Sequence, residues 1–463
     1  MNLTGVPAVD LAATIARGEV TAVETVEAHL AAIESATQLN AFTLVDSERS
    51  LRRAADLDVM VTTGGDPGPL AGVPVAVKDL IDHSGRPTTC GSGFYRVMPE
   101  RSATIVERIE AAGGIVIGRT GLHEFAFGFS SENPWFGPVR NPWDPGTSPG
   151  GSSGGSGAAV SARLAPLAVG TDTGGSVRVP AALCGIIGLK VTHGRIPLTG
   201  VFPLAASLDT VGPMARTVAD TALLYRVMAG DDPADPWSVP RRVTVPDRAA
   251  PIKGMRIGVP QEWVDTSLDG RTRDGFEWAL ERLRELGAIV EAVSAPSLVP
   301  SRMITTSFQP EVAPVHRRWF MEDPDLYGAS VRKRMAPVFD TDPDDYQEAL
   351  AWRSALRGSF ARLFSDYDLL ATPTVAARRK IIGHDDMETE AGPVRYRAAL
   401  SRFTALVNHA TVPAIALPLA SPGEPPPSLQ LIGPQWSEAL LLGVGMALEE
   451  AGIVAYQVPP IRA

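Results

Sequence analysis

The serine of GTDTGGSVRVPA, Ser176, carries the strongest case for chemistry in this chain. A hydroxyl is a weak nucleophile until a base takes its proton and nearby donors hold the oxyanion it creates. Thr173, Gly174 and Gly175 precede it and present consecutive backbone N–H groups beside the hydroxyl. Nucleophile and oxyanion hole then come from one loop. A second glycine–serine cluster, Gly150–Gly157, lies upstream. The apolar run Ala158–Val169 between the clusters must be buried, which argues against a disordered glycine–serine linker. The hydroxyl still needs a base. Lys78 follows the apolar run Val73–Val77, so it should emerge at a sheet edge with a desolvated stem. Only roughly one ordinary lysine in a few thousand is deprotonated at neutral pH. Burial or a nearby cation has to lower that pKa before Lys78 accepts a proton. Taken alone, a lysine after a strand reads as a solvated surface charge.

Other chemistries lack their parts. The seven histidines are scattered, no HExxH occurs, and the two cysteines, Cys90 and Cys184, do not make a zinc set. The Gly150 region lacks the GK[ST] ending of a phosphate-cradling loop, and no GxGxxG opens a helix after a strand. Gly150–Gly154 fits the GxSxG elbow, but the preceding NPWDPGTSP cannot form the strand that motif needs. Ser330–Lys333 fits SxxK without its companion motifs. No metal or organic cofactor is expected. The net charge of −10 argues against a polyanionic partner. Two cysteines suit a reducing compartment, and MNLTGVPAVD lacks the features of a signal peptide. No apolar run reaches the roughly 18 residues of a bilayer span. A soluble, cytoplasmic protein is expected.

These side chains require a scaffold, and the pattern predicts one of α/β class. Helices are expected over Thr21–Ser35, with Thr21 and Glu24 as a capping box, and over Ser102–Ala112 and Thr217–Met228. A buried helix should begin near Ala158. Strands are expected at Val73–Val77, Gly114–Ile117, Met255–Val259, Ile289–Val293, Asp368–Thr372, Ala414–Leu417 and Ser428–Ile432. Amphipathic helices, Asp274–Leu286 and Ser437–Glu450, alternate with them, which argues for a sheet with helices on its faces. Asp232–Pro251 reads as a surface connector and Gly423–Pro427 as a loop. Residues 309–366 read as a helical cap or peripheral bundle.

Four segments together resemble the amidase signature family of serine hydrolases. They are AGVPVAVKDLID (71–82), NPWDPGTSPGGSSGGS (141–156), GTDTGGSVRVPAALCGIIGLKVTHGRIP (170–197) and SLDTVGPMARTVADTALL (207–224). The C-terminal VPAIALP and SLQLIGP are similar as well. The resemblance implies one large domain over 1–463, a central mixed β-sheet covered by α-helices on both faces, with a catalytic core at 70–225. It implies that Ser176 is the nucleophile, that Ser152, after a cis peptide bond, is a bridging serine, and that Lys78 is the base. The oxyanion would rest on the N–H groups of Thr173, Gly174, Gly175 and Ser176, with Ser153, Asp172 and Arg178 orienting the loop. Leu122–Asp144 resembles the family's pocket-lining segment, which makes Phe127, Gly128, Phe129 and Ser130 candidate pocket residues. On this basis the expected activity is hydrolysis of small or aryl amides, carbamates, anilides or esters through an acyl-enzyme. The expected protein is a monomer or homodimer with a small-molecule substrate and neither nucleic-acid nor membrane partner. The alternative is the glutaminase subunit of a tRNA-dependent amidotransferase.

Overall fold

Eleven strands form one sheet. The computed structural model describes residues 2–420 and 424–462. In chain order the strands are β1 (Phe42–Val45), β2 (Pro74–Lys78), β3 (Ile115–Thr120), β4 (Leu167–Thr171), β5 (Ile187–Lys190) and β6 (Val211–Ala215). They continue as β7 (Arg256–Pro260), β8 (Ile289–Val293), β9 (Leu369–Pro373), β10 (Ala414–Pro418) and β11 (Ser428–Ile432). Their spatial order is β1-β3-β2-β4-β6-β5-β10-β11-β9-β7-β8. Parallel pairs β3–β2–β4 and β9–β7–β8 flank an antiparallel middle, so the sheet is mixed.

Period-two alternation sends neighbouring side chains of β2 and β4 to opposite faces. Val75, Val77, Leu167 and Val169 join a core with Val218 and Leu224 of the helix Val218–Met228. Ala76 and Ala168 join a second core with Ala158, Ala159 and Val160 of the helix Gly154–Ser161. The small residues on the second face let that helix approach closely. A Cβ at Gly155 would lie 2.5 Å from the backbone of Ala41 and Gly121. Helices on both faces of one mixed sheet make this an α/β domain.

Most predicted elements occur within a few residues of their expected bounds. The helix Ala22–Ser35 has both halves of its capping box from Thr21 and Glu24, and strands Ile289–Val293 and Ser428–Ile432 match as read. The helix expected from Ala158 instead starts at Gly154. Glycine and serine disfavour helix by propensity, but every residue of this turn is buried, and packing overrides the local preference. Residues 232–251 carry no helix or strand. In the expected loop 423–427, Gly423 lies outside the described residues; the rest is irregular. The segment 309–366 contains helices Gln309–Glu322, Ala329–Met335 and Pro343–Asp366. Among the described residues, no helix is long and apolar enough to cross a membrane.

Candidate active site

Strand β2 delivers Lys78 into the interior of the sheet edge, where its side chain is fully buried. Its Nζ donates to Ser152 Oγ at 2.7 Å and to Thr171 Oγ1 at 2.8 Å. Among the described residues, its polar contacts are these two hydroxyls and no carboxylate is within ion-pair distance. Burial therefore dominates and lowers its pKa to about 7, against the weaker raising effects of Asp172, Asp209 and Cys90. Near neutral pH about half of the Lys78 side chains are neutral. The reading of Lys78 as a solvated surface charge is thereby excluded.

Ser152 reaches Lys78 from the turn that enters the helix Gly154–Ser161, and the Gly151–Ser152 bond is cis. Its carbonyl accepts from the His123 N–H and the Ser131 hydroxyl. Ser153 accepts from Thr171 N–H and donates to Thr171 O, both at 3.2 Å, fastening the turn to the end of β4. The Ser153 N–H also donates to Ser176 O at 3.3 Å. The two glycine–serine clusters thus meet beside Lys78.

The loop that carries Ser176 is organised by Asp172 and Arg178. Asp172 accepts from the N–H groups of Gly175 at 2.8 Å and Val177 at 3.2 Å. Arg178 reaches back with Nε and Nη2 to both Asp172 oxygens at 3.0 and 2.9 Å. Burial of Asp172 opposes its charge. The guanidinium, its hydrogen bonds, Lys190 and Asn408 outweigh that cost and hold the carboxyl well below the usual carboxylate range. The guanidinium is also bound by Gln430 Oε1, Asn408 Oδ1 and Thr404 O. Gly175 has φ +133°, and a Cβ there would lie 2.3 Å from Thr404 Oγ1, so both conformation and space require glycine.

One expectation about the oxyanion donors needs correction. The Gly175 N–H is consumed by Asp172. The N–H groups of Thr173, Gly174 and Ser176 have no protein acceptor among the described residues. Thr173 is held from behind, its hydroxyl donating to Asp209. Asp209 lies in the segment 207–224 that carries the resemblance, with no role expected of it. Burial raises its pKa to about 7, against the lowering effect of that hydrogen bond and of the Leu204 and Ala205 N–H groups. Thr171 and Gln430 fall in the resembling segments without an expected role, and Thr404 and Asn408 outside them; only the folded chain brings them beside 78 and 178.

Ser176 opens into a cavity of about 240 Å³. Phe127, Gly128 and Phe129 line it with Thr173 and Gly174, as do Leu204, Ile304 and Phe308. One expected neighbour is elsewhere. Ser130 is buried behind the wall, its hydroxyl oxygen 3.5 Å from His123 Nδ1. Phe125 packs in an aromatic cluster with Phe94, Phe202, His316 and Tyr327. Arg397 also lines the cavity, a residue with no sequence signal. Among the described residues, no group of three or more His, Cys, Asp or Glu is placed to hold a metal ion.

The family model described as Amidase matches residues 24–442. The glutamyl-tRNA(Gln) amidotransferase A-subunit of Carboxydothermus hydrogenoformans is 38% identical, with 97% of this chain and 98% of that protein aligned. The corresponding protein of Thioalkalivibrio sulfidiphilus is 39% identical over 94% of this chain and 95% of its own. A solved structure described as an unexpected vestigial protein complex revealing the evolutionary origins of an s-triazine catabolic enzyme superposes with TM-score 0.91. It is 34% identical and covers 98% of this chain and 100% of its own. These relatives correct two expectations. The reading as a free-standing hydrolase of aryl amides, carbamates or esters is overturned, and so is the exclusion of nucleic acid and of other partner chains. The near full-length relatives are subunits of an enzyme named for a tRNA substrate. The aromatic wall was a poor guide, since phenylalanines around a nucleophile exclude water whatever the substrate. With a family match over most of its length and relatives well above 30% identity, the chain belongs to the amidase signature family.

Proposed function

We propose that this chain is the amide-hydrolysing subunit of a glutamine-dependent, tRNA-linked amidotransferase. The near full-length similarity to the amidotransferase proteins carries this reading. The buried Lys78–Ser152 contact supports the chemistry. Ser176 Oγ attacks the amide carbon of the substrate, and its proton passes through Ser152 to neutral Lys78. The carbonyl oxygen becomes an oxyanion held by the free N–H groups of the 173–176 loop. The C–N bond then breaks, the proton returns to the departing nitrogen, and ammonia leaves. Water, deprotonated over the same path, attacks the acyl-enzyme and releases a carboxylic acid and free Ser176. Ser153, Asp172 and Arg178 orient the loop. Residues 70–225 supply the catalytic groups, and 309–366 act as a cap, a reading supported by Gln309, Lys333 and Arg334 lining the cavity outside the site.

The test is glutamine labelled with 15N in its amide. The label is followed into ammonia with the chain alone, and into Gln-tRNA when partner subunits and Glu-tRNA(Gln) are added. The proposal expects weak hydrolysis alone and transfer in the complex. No release or transfer of label under either condition overturns it.

A further inference from the structure

The catalytic cavity shares a wall with a larger one of about 810 Å³, and Phe127, Thr305 and Arg397 line both. The charge on this wall is one-sided. Arg397 faces both spaces, while Arg334 and Lys333 face the outer one. Among the described residues, no carboxylate lines the inner cavity. The outer cavity has one, Asp385, which lies 3.5 Å from the guanidinium of Arg395.

The two central arginines are poorly compensated. The half-buried Arg397 guanidinium has no hydrogen-bond or ion-pair partner among the described residues. Arg334 sits over the Phe127 ring, 5.4 Å from its centroid, and donates from Nη2 to His123 Nε2 at 2.8 Å. Its Nε has no partner. Burial, then repulsion by Arg397, pulls Arg334 down to about 10. Glu124 is nearby but is committed to Trp135 Nε1 and the Gly328 N–H. His409 on the inner wall is neutral: burial outweighs its hydrogen bonds and lowers its pKa to about 4. A partly desolvated guanidinium without a counter-ion is unfavourable, and an anionic ligand presenting a planar carboxylate relieves it. An ammonium group entering the catalytic cavity meets Arg397 and, among the described residues, no carboxylate on its lining.

We propose that the catalytic cavity selects amides whose acyl part carries a free carboxylate, seated on Arg397, and that it does not require an α-ammonium. This rests on the reading of Ser176 as the nucleophile of amide hydrolysis. The apolar side chains of Phe127, Phe129 and Phe308 would flank the methylene chain between amide and carboxylate.

Three amides of one length separate the charges. Glutamine has both, glutaramate lacks the ammonium, and the α-amide of glutamine lacks the carboxylate. Binding is read by calorimetric titration of Ser176→Ala, independently of turnover, and kcat/KM is read on the unaltered enzyme. Glutaramate should bind at least as tightly as glutamine, and the α-amide about 100-fold more weakly, the size of a lost charge-assisted hydrogen bond. Arg397→Gln in the Ser176→Ala background should bring the ratio of glutaramate to α-amide close to unity, a change that a merely structural role would not produce. Absent or inferior binding of glutaramate, or equal binding of the α-amide, overturns the inference. Glutaramate cleaved while glutamine is not would support it and refute the glutaminase reading. Glutamine cleaved while glutaramate neither binds nor reacts would do the reverse.

Discussion

At the scale of single residues, the proposed reaction depends on the hydroxyls of Ser176 and Ser152 and on the amine of Lys78. Ser176→Ala should lower kcat by a factor of about 10³ or more while the thermal midpoint stays near that of the parent. Turnover assays and thermal denaturation read the two separately. Lys78 must lose its proton to act. Its folded pKa is about 7, below the ordinary 10.5, so kcat/KM should fall as pH drops through about 7 and level off above it. The same group links pH to stability. Between about pH 7 and 10.5 the unfolded chain holds a proton that buried Lys78 lacks, so this contribution makes stability rise with pH across that window. Lys190, also lowered to about 7 chiefly by burial, adds to it. Lys78→Arg should cost about 10² to 10⁴ in rate at every accessible pH, because arginine does not deprotonate. A pH profile of that variant checks this. Ser176 stands out by its glycine-rich context, whereas Ser152 and Lys78 are singled out as relay and base only through the family resemblance, since a lysine after a strand alone reads as a surface charge. Arg397 is not legible, because one arginine in RYRAAL acquires meaning only from the cavity it faces.

At the scale of elements, the sheet was legible where β-branched runs stood between clear stops, as at Ile289–Val293. It was hidden at Leu167–Thr171, whose first three residues read only as the end of the buried apolar run Ala158–Val169. It was hidden also at Val211–Ala215, where glycine and proline interrupt the run. Both are buried on two faces, and such strands give no alternation to detect. The loop from β4 through the helix Arg178–Cys184 depends on the Asp172–Arg178 pair, both fully buried. Arg178→Met should leave Asp172 as an uncompensated interior charge and destabilise the protein by about 3–5 kcal/mol. Denaturant titration would measure that loss, and the mobility of the 173–176 loop should remove most activity as well.

At the scale of the whole molecule, the two halves of the sequence are one unit. Strand β5 pairs with β10, so the sheet closes across the connector at 232–251. That connector is largely exposed and irregular around Arg242 and Arg248. Limited trypsin treatment should cut there first. The nicked protein should co-elute as one species and retain most of its activity, as size-exclusion chromatography and assay of the eluate would show. A chain of 463 residues would by length alone allow about three domains; instead β1–β6 fill one side of a single continuous sheet and β7–β11 the other, joined at the β5–β10 pair.

The hold on Arg178 by Thr404, Asn408 and Gln430 also sets a schedule for synthesis. A chain growing on the ribosome exposes Lys78, Ser152 and Ser176 early, yet the arginine that organises the nucleophile loop lacks its partners at 404, 408 and 430 until residue 430 has emerged. On the proposed mechanism, nascent and prematurely terminated chains should therefore be inert until translation is nearly complete, as an activity assay of chains truncated before residue 404 would show.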